Sequence, residues 1–401
     1  MSDARDPRAL LRALFDGAVQ GALPFDATWE WLTGLTLTGP VHLLALGKAA
    51  HAQARGVVAA LADLGHAPVD GLIVTVAHDT PPHPAVRVVV GDHPVPAARS
   101  LAAADAIDDF VRRLTPGAHV IACVSGGTTA LCAAPRAGVT GDALGERFRT
   151  LLASGRDIVA MNAERRTWLR WGEGRLAAAC RGAGAARIDV AVVSDVLNDD
   201  LASIGSGPFV EITPSDTPPS HTIIASNRVA QDAAERQARA LGCVVHRLAA
   251  PLVGDARADG RVFAERLLAL PRAARPTIVI AGGEPTMTLE AAAPDAAGGR
   301  MQAFALSAAI ALHEAREQGA STRAITVLAA GTDGRDGPTD AAGAIVDAAT
   351  VRRIAQLGRH AKQDLAAHRS YHALGAAAQL VRTGPTGTNV ADLVLGYVPP
   401  Q

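Results

Sequence analysis

The 401-residue chain has few aromatic side chains and no excess of basic ones, which excludes some classes of protein. Phe, Trp and Tyr together make up 3% of the residues, and 38 Lys and Arg stand against 39 Asp and Glu, for a formal net charge of -1. A nucleic-acid-binding protein is expected to carry a basic stripe or an aromatic-studded patch, and neither is present. The composition therefore argues against a nucleic acid as partner.

Long hydrophobic runs and metal-site motifs are missing as well. No uninterrupted apolar run reaches membrane-spanning length, and residues 1–12 carry charges of both signs without the apolar core of a signal peptide. The four cysteines lack the spacing of a metal site or redox motif, and the 13 histidines contain no HExxH pair. We therefore expect a reduced, cytoplasmic protein with no membrane partner and no transition-metal site.

What the chain does have is a repeated pattern in which a short apolar run ends in a polar, glycine-rich turn. The runs are continuous, as in strands that are buried on both faces of a parallel sheet. Ala-rich helical stretches separate most of them, which predicts an α/β fold whose ligands bind where the polar turns gather, at the carboxyl edge of the sheet. The runs are residues 41–46, 119–124, 188–193, 223–225, 277–281 and 324–328.

The length is natural for two domains, and a hydrophobic content of 49% is enough for sizeable cores. The segment 207–220 is rich in proline, acids and hydroxyl residues, so it resembles a crossing between domains. We predict an N-terminal helical segment at 1–40, a Rossmann-like α/β domain at 41–215 and a second α/β domain at 216–401. Both sheets are expected to be largely parallel, with a cleft between the domains.

The most informative turn is the acidic stretch 329–347, which follows the last of these runs. Asp333, Asp336 and Asp340 place three carboxylates where glycines let the chain bend sharply. Such a cluster suits a divalent cation, or the orientation of a hydroxyl group for phosphoryl transfer. The alternative is an ordinary solvated turn, because Asp and Gly are common turn residues.

Two turns in the first half of the chain suit an anion. Lys48 stands between a strand and a helix start, where its ammonium group and free backbone N–H groups favour a phosphate. Ser125, Gly126, Gly127 and Thr128 combine bare backbone amides with hydroxyl donors, although without the spacing of a P-loop. The structural alternatives are a surface lysine beside a loop and a tight turn.

Other candidates also follow apolar runs or turns. Arg300 can fork onto a carboxylate or phosphate, or it can pair with a surface acid at a helix start. Glu284 either faces a ligand or favours a helix dipole. Asp195 either binds a metal or accepts a hydroxyl proton, or it only caps a helix. Ligand-binding and structural interpretations weigh about equally for His93, Asn227 and Asn389.

Together these loops resemble one family, the MOFRL-type glycerate 2-kinases, whose members have often been labelled hydroxypyruvate reductases. The resemblance covers about residues 10–396 and rests on the strings LALGKAA, GDHPVPAARSL, VSGGTTAL, VSDVLNDDLASIGSGP, AGGEPTMTL and GTDGRDGPTDAAGA, with GPTGTNVADL near the end. It implies two α/β domains with a cleft, and Mg²⁺-dependent transfer of a phosphoryl group from ATP to the 2-hydroxyl of D-glycerate. A homodimer is one option.

The motifs and the resemblance together assign roles to individual residues. The implied catalytic residues are Lys48, Asp195, Arg300 and Asp333. The implied substrate- or phosphate-binding residues are His93, Ser125, Gly126, Gly127, Thr128, Asn162, Arg165, Arg175, Ser206, Asn227, Glu284 and Asn389. The implied Mg²⁺ ligands are Asp336 and Asp340.

The chain departs from the family after Asn162. Where the family has the Lys and first Gly of a Lys-Gly-Gly-Arg string, this chain has Gly172 and Glu173, so a cation is lost and an anion appears beside its place. Arg166 or Arg170 is close enough in sequence to compensate. If the lost lysine served a phosphate or the glycerate carboxylate, the preference for substrate or the rate has changed.

Three classes of function stay open on the sequence alone. The first is a kinase for D-glycerate or a closely related hydroxy acid. The second is an NAD(P)H-dependent hydroxypyruvate reductase, although no GxGxxG with an acid about 20 residues later follows any of the apolar runs. The third is a non-catalytic, ligand-binding relative, which only the lost lysine favours.

Overall fold

The computed structural model describes residues 6–154, 158–213, 215–288, 294–322 and 324–401, which form two compact units. The first unit is Leu23–Ser226, and the second joins residues 6–22 to Asn227–Gln401. The predicted boundary at 215/216 differs from this division, because the strand at Ser220–Ala225 pairs within the first sheet. The predicted N-terminal segment is also divided, since its two helices belong to different units.

The first unit is built on a six-stranded sheet. Its strands are β1 (Val41–Leu46), β2 (Asp70–Thr75), β3 (Val86–Val90), β4 (Ala118–Ser125), β5 (Ala185–Val193) and β6 (Ser220–Ala225). Helix α1 (Pro7–Gln20) belongs to the second unit. The helices of the first unit are α2 (Pro24–Thr33), α3 (Ala50–Asp63), α4 (Ala98–Arg112), α5 (Thr128–Leu131), α6 (Gly141–Ala153), α7 (Ile158–Trp168) and α8 (Arg175–Gly182). A short 3₁₀ helix spans Ile204–Ser206.

The strands of the first sheet run in the order β3-β2-β1-β4-β5-β6, and every neighbouring pair is parallel. All residues of β1 and β4 are buried, which explains why these strands read as continuous apolar runs. The predicted α/β class and parallel sheet are confirmed here. The strand order reverses between β1 and β4, and ligands of doubly wound sheets bind at such a reversal, outside the carboxyl ends of the strands.

The second unit holds a second six-stranded sheet and the longest helix of the described chain. Its strands are β7 (Val244–Arg247), β8 (Thr277–Gly283), β9 (Thr326–Gly331), β10 (Gly343–Asp347), β11 (Leu380–Val381) and β12 (Asp392–Val398). Its further helices are α9 (Asn227–Ala240), α10 (Ala256–Ala269), α11 (Arg300–Glu317), α12 (Thr350–Gln356), α13 (Ala361–Ala366) and α14 (Ser370–Ala376).

Helix α11 forms the centre of the second core, because every residue from Met301 to Leu312 is buried. A helix that is apolar on all sides is expected to be covered on all sides. Helix α11 packs against α10, where the ring centroids of Phe263 in α10 and Phe304 in α11 lie 5.8 Å apart. No helix in the described ranges is long and apolar enough to cross a membrane.

The second sheet differs from the predicted, largely parallel arrangement. Its order is β11-β10-β9-β12-β8-β7, and β7 pairs with β8 in parallel. The β8–β12, β12–β9, β9–β10 and β10–β11 pairs are antiparallel, because β12 runs between β8 and β9 in the opposite direction. As a result Asp392, the first residue of β12, lies opposite both Gly283 and Gly331, the last residues of β8 and β9.

Candidate active site

In the first unit, two predicted anion-binding turns meet at the reversal between β1 and β4. The N–H of Lys48 donates to the carbonyl oxygen of Gly126 at 2.9 Å, and the N–H of Ala49 donates to Oγ of Ser125 at 3.0 Å. The Lys48 side chain is exposed. Helix α3 starts directly afterwards without a side-chain cap, so the positive end of its dipole favours an anion at the same place.

Three side chains surround the bare backbone of Gly126 and Gly127. A Cβ atom on Gly126 would overlap the carboxylate of Asp195. On Gly127 it would lie 3.1 Å from Cγ of Lys48 and 3.3 Å from Cδ2 of His93. Gly127 also has a φ of 87°, a conformation that residues with a side chain rarely adopt. The structure thus brings Lys48, His93 and Asp195 together around this turn.

The charges around His93 favour an anionic ligand. Burial lowers the pKa of His93, and the positive charges of Lys48 and Arg165 lower it further. Arg165 is itself buried, with its guanidinium carbon 5.0 Å from the centre of the Phe148 ring, and burial lowers the pKa of Arg165. With a neutral histidine, the two cations outnumber the single carboxylate of Asp195 and leave this turn with a surplus of positive charge.

The hydroxyl groups predicted at this turn mainly brace it. Thr128 is buried, and its Oγ1 donates to the carbonyl oxygen of Ser125 at 2.8 Å. Ser206 is buried as well, and its Oγ lies 2.9 Å from Oγ1 of Thr129. Ser206 has a φ of 67°, which is strained for a residue with a side chain. The hydroxyls of Thr128 and Ser206 are therefore engaged with protein atoms in this arrangement.

Two predicted binding residues on the segment after α6, Asn162 and Arg175, have no observed contact with the glycine turn in the described part of the structure. Asn162 lies in α7, and its side chain falls outside the described part of the structure. The guanidinium group of Arg175 is directed at its own turn: Nη1 lies 2.6 Å from Oε2 of Glu173. Its other nitrogens donate to the carbonyl oxygens of residues 166, 169 and 170. These contacts show Arg175 stabilising the turn.

The structure separates the two arginines that stand near the lost family lysine. Arg170 pairs with Asp108 at 2.8 Å. Arg166 donates through Nη1 to the carbonyl oxygen of Ala202 at 3.2 Å, while its buried Nε has no hydrogen-bond partner in the described ranges. Arg166 is therefore the stronger candidate to replace the missing cation.

In the second unit, Arg300 forms ion pairs with two carboxylates. Its Nε lies 2.5 Å from Oδ2 of Asp392, and its Nη2 lies 3.3 Å from Oδ1 of the same residue. Its Nη1 lies 3.0 Å from Oε1 of Glu284. The two partners differ in burial, because the side chain of Asp392 is 5% exposed and that of Glu284 is 50% exposed.

Asp336 caps the helix that Arg300 begins. The N-cap residue of α11 is Gly299, which has no side chain to cap with. Asp336 takes over this role, since its carboxylate accepts hydrogen bonds from the N–H groups of Met301 at 3.1 Å and Gln302 at 2.8 Å. A negative charge at the N-terminus of a helix also interacts favourably with the positive end of the helix dipole.

Burial changes the protonation of this cluster. It raises the pKa of Asp392 to about 7, against the opposing effect of Arg300. It also raises the pKa of Asp336 to about 6, against the hydrogen bonds from the start of α11. Burial alone would lower the pKa of Arg300, but the charges of Asp392 and Glu284 outweigh it and raise this pKa.

The other acids of the predicted loop have different surroundings. Oδ1 of Asp333 accepts the N–H of Arg335 at 2.9 Å. A Cβ on Gly331 would lie 3.1 Å from Oδ1 of Asp333 and 3.4 Å from Oδ1 of Asp392, so these two carboxylates lie around the same glycine.

Asp340 is exposed and bonds to protein donors outside this cluster. It accepts from the hydroxyl of Tyr371 at 2.8 Å and from Nε of Arg382 at 2.9 Å. Among the residues that the structure describes, no three His, Cys, Asp or Glu side chains are arranged to hold a metal ion. Magnesium binding by Asp336 and Asp340 stays a prediction.

The sequence reasoning missed Asp392, although it noticed the residues beside it. Asn227 donates through Nδ2 to the carbonyl oxygens of Val390 at 2.8 Å and Asp392 at 2.9 Å, which fixes the start of β12. Asn389 is exposed and accepts the N–H of Ala391 at 3.3 Å. The available signal was an acid at the head of the apolar run LVLGYV, because a buried carboxylate needs a partner.

Comparison with known proteins shows the family to which the chain belongs. The profile of the MOFRL family matches residues 277–392, and a profile described as a domain of unknown function (DUF4147) matches residues 9–241. A glycerate 2-kinase from Pyrococcus horikoshii is 30% identical over 90% of this chain and 88% of its own. A D-glycerate 2-kinase from Thermotoga maritima is 30% identical over 99% of this chain and 100% of its own. The chain belongs to the MOFRL-type glycerate 2-kinase family.

The fold of this glycerate 2-kinase family member agrees with a solved structure. A crystal structure of glycerate kinase from Thermotoga maritima matches it with a TM-score of 0.85 at 29% identity, over 97% of this chain and 99% of the other. A protein from Agrobacterium vitis with a provisional hydroxypyruvate reductase name is 34% identical over 96% of this chain and 93% of its own. The family that the loop motifs predicted is thereby confirmed.

Proposed function

We propose that the protein is a kinase that transfers the γ-phosphoryl group of ATP to the 2-hydroxyl of D-glycerate, or of a closely related small hydroxy acid. The observation that carries this proposal is the exposed lysine beside a bare glycine turn at the strand-order reversal of a parallel sheet, in a member of the glycerate 2-kinase family. The names of the Pyrococcus and Thermotoga relatives support the same reaction.

The first unit would supply charge for an anionic group of the ligands. Lys48 carries an exposed positive charge, the amides of Gly126 and Gly127 lie open to a close approach, and α3 adds its dipole. Phosphoryl transfer depends mainly on such alignment and charge neutralisation, with little covalent chemistry for the protein to perform. His93 and Asp195 stand at the same turn and would orient the ligand.

The second unit would supply a further cation and a proton acceptor. The guanidinium group of Arg300 suits a carboxylate or a phosphate. In the transfer itself, the substrate hydroxyl oxygen attacks the γ-phosphorus, the bond from that phosphorus to the β,γ-bridging oxygen breaks, and ADP leaves. The hydroxyl proton passes to a carboxylate, for which we assign Asp333 because it is half-buried at the end of β9. That both units serve one reaction, across a cleft, stays a prediction.

Magnesium fits this scheme as an ion carried largely by the phosphates. Mg²⁺ keeps several waters and is usually held by one or two protein carboxylates together with phosphate oxygens. Asp195, whose carboxylate reaches the glycine turn, is the carboxylate that would hold it, and the ion would neutralise phosphate charge.

Measurement of ADP release by the purified protein, with and without each of a panel of small hydroxy acids, tests the proposal. We expect ADP only when an acceptor is present, and loss of that signal in Lys48→Ala. NADH consumption with hydroxypyruvate would instead indicate a reductase, and the absence of both signals would indicate a non-catalytic binder. A cytoplasmic location and a homodimer stay predictions.

A further inference from the structure

We infer that Asp392 positions Arg300 to bind an anionic group of a ligand, and that Glu284 occupies the place of that group until the ligand displaces it. This inference rests on the proposed function for the identity of the ligands, but its geometry lies within the second unit alone. Asp392 thus holds the guanidinium group of Arg300 in place, whereas Glu284 competes with the ligand for it.

The contact with Asp392 is built to hold. Asp392 begins β12 between the ends of β8 and β9, so its backbone is fixed on both sides by strand pairing. Asn227 fixes it again through the bond to its carbonyl oxygen. Its carboxylate is almost fully buried and meets Arg300 with both oxygens. Breaking a buried pair leaves an uncompensated charge, so this contact sets the direction of the guanidinium group.

The contact with Glu284 has the opposite character. It is a single bond from Nη1 of Arg300, and half of the Glu284 side chain is exposed. Within the described part of the chain, the carboxylate of Glu284 has no partner other than Arg300. Exposed ion pairs are weak, because water solvates both charges well once they separate. An incoming anion therefore displaces Glu284 and leaves Asp392 in place.

The group that replaces Glu284 must resemble its carboxylate in charge and shape. The Nη1 and Nη2 groups of an arginine donate in parallel, which suits two oxygens of a carboxylate or a phosphate. In the proposed reaction, one source is the carboxylate of the hydroxy acid and the other is a phosphate of the nucleotide. Both share the chemistry that Arg300 recognises, so binding has to be measured for each separately.

The test compares Glu284→Gln and Asp392→Asn in the full-length protein by titration calorimetry with D-glycerate, ADP and inorganic phosphate. Glu284→Gln removes a competitor, so we expect it to tighten binding of at least one of these ligands about two- to fivefold, the range of an exposed ion pair. Asp392→Asn should weaken the same ligand about tenfold or more, since small losses of alignment are costly.

Two matched variants act as controls. Asp364→Asn removes another buried carboxylate that meets an arginine, Arg359, with both oxygens. Glu314→Gln removes a carboxylate that is 29% exposed and pairs with Arg261 and Lys362. Neither should change the dissociation constants. A merely structural role for Asp392 would lower the melting temperature and leave those constants unchanged.

The sign of the Glu284 effect decides the outcome even if Asp392→Asn fails to fold. Weaker or unchanged binding of all three probes by Glu284→Gln would overturn the inference, as would a wild-type protein that binds none of them. If phosphate alone binds and tightens in Glu284→Gln, the anion site stands and the proposed kinase function fails. Unchanged binding in a folded Asp392→Asn protein would remove Asp392 from its role.

Discussion

The backbone N–H of Lys48 donates to the carbonyl oxygen of Gly126 at 2.9 Å, and this bond joins the turns after β1 and β4. These strands are neighbours at the reversal of the sheet order, although the two turns are far apart in sequence. The bond ties the backbone of the lysine to the turn whose amides are bare, so one local rearrangement would disturb both. The positive charge of Lys48 and the accessible amides of the Gly126 turn therefore depend on the same backbone contact.

Replacement of Lys48 by alanine should reduce turnover without unfolding the protein. The side chain is exposed and makes no contribution to the core, so its loss removes a charge and little packing. By analogy with other preorganised electrostatic groups, we expect a cost of about 3–4 kcal/mol in transition-state stabilisation. The measurement is kcat for ADP release together with the melting temperature.

Lys362→Ala is the matched control for that experiment, because Lys362 is an exposed lysine that pairs with Glu314. It should retain wild-type turnover. Near wild-type turnover in Lys48→Ala itself would contradict the assignment of this lysine to the site.

Gly126→Ala should damage the site through a steric effect. The added Cβ would overlap the Asp195 carboxylate, so either the turn or Asp195 has to move. Overpacking of this kind typically costs about 1–3 kcal/mol of stability, and a displaced turn would lose its alignment with the phosphates that we propose to bind here. We expect turnover to fall at least about tenfold.

Gly182→Ala provides the comparison, because no atom beyond the chain neighbours and the backbone of its own helix lies within 4 Å of the added carbon. Gly182 ends α8, where alanine is well tolerated, so stability should change by less than about 0.5 kcal/mol. Equal effects of the two substitutions on turnover would show that the Gly126 turn does not need its close approach to Asp195.

The first sheet was predictable from the sequence because its strands are buried on both faces. The runs VHLLAL of β1 and HVIACV of β4 are continuous and apolar, and each ends in a turn whose chemistry is local. Lys48, Gly126 and Gly127 could therefore be singled out together, since a parallel sheet brings such turns to one edge. No longer-range information was required.

The second sheet was not predictable in the same way. β12 pairs with β8 and β9 in antiparallel fashion, and nothing in its run indicates that it inserts between two strands that precede it in the chain. Asp392 was missed for the same reason, because its partner Arg300 lies 92 residues away in sequence. Arg175 is the reverse case: a family pattern predicts a ligand-binding role, which stays a prediction, whereas its contacts in the structure lie in its own turn.

Asparagine substitutions in the acidic loop should have unequal effects. Asp333→Asn should reduce turnover most, by about 10²-fold or more, because we assign the hydroxyl proton to this carboxylate. Asp336→Asn should mainly lower stability, by about 0.5–2 kcal/mol, because Asp336 caps α11. For Asp340, the exposed contacts with Tyr371 and Arg382 predict the smallest change in both quantities.

The measurements for this series are kcat, the dependence of rate on Mg²⁺ concentration, and unfolding in urea. A weakened response to Mg²⁺ in Asp336→Asn or Asp340→Asn would support these residues as metal ligands after all. Normal turnover and normal Mg²⁺ dependence in all three variants would make the loop structural and its charge incidental.

The pH dependence of stability should reveal the buried carboxylates of the second unit. The pKa of Asp392 is raised to about 7, whereas an ordinary aspartate in an unfolded chain has a pKa of about 3.9. Between these values the folded protein keeps a proton that the unfolded chain has released. The unfolding free energy therefore falls as pH rises across this window, by at most about 1.4 kcal/mol per pH unit for this proton.

Asp392→Asn cannot titrate at this position, so its unfolding free energy should depend less steeply on pH between about 5 and 7 than that of the wild type. Urea unfolding at several pH values measures both slopes. Asp347→Asn is the control. Burial acts to raise the pKa of Asp347, but the hydrogen bond and the positive charge of Arg353 outweigh it and lower this pKa. Asp347 therefore titrates below the window. Its slope should match the wild type. Parallel curves for wild type and Asp392→Asn would mean that Asp392 stays ionised across the window, and that Arg300 outweighs burial.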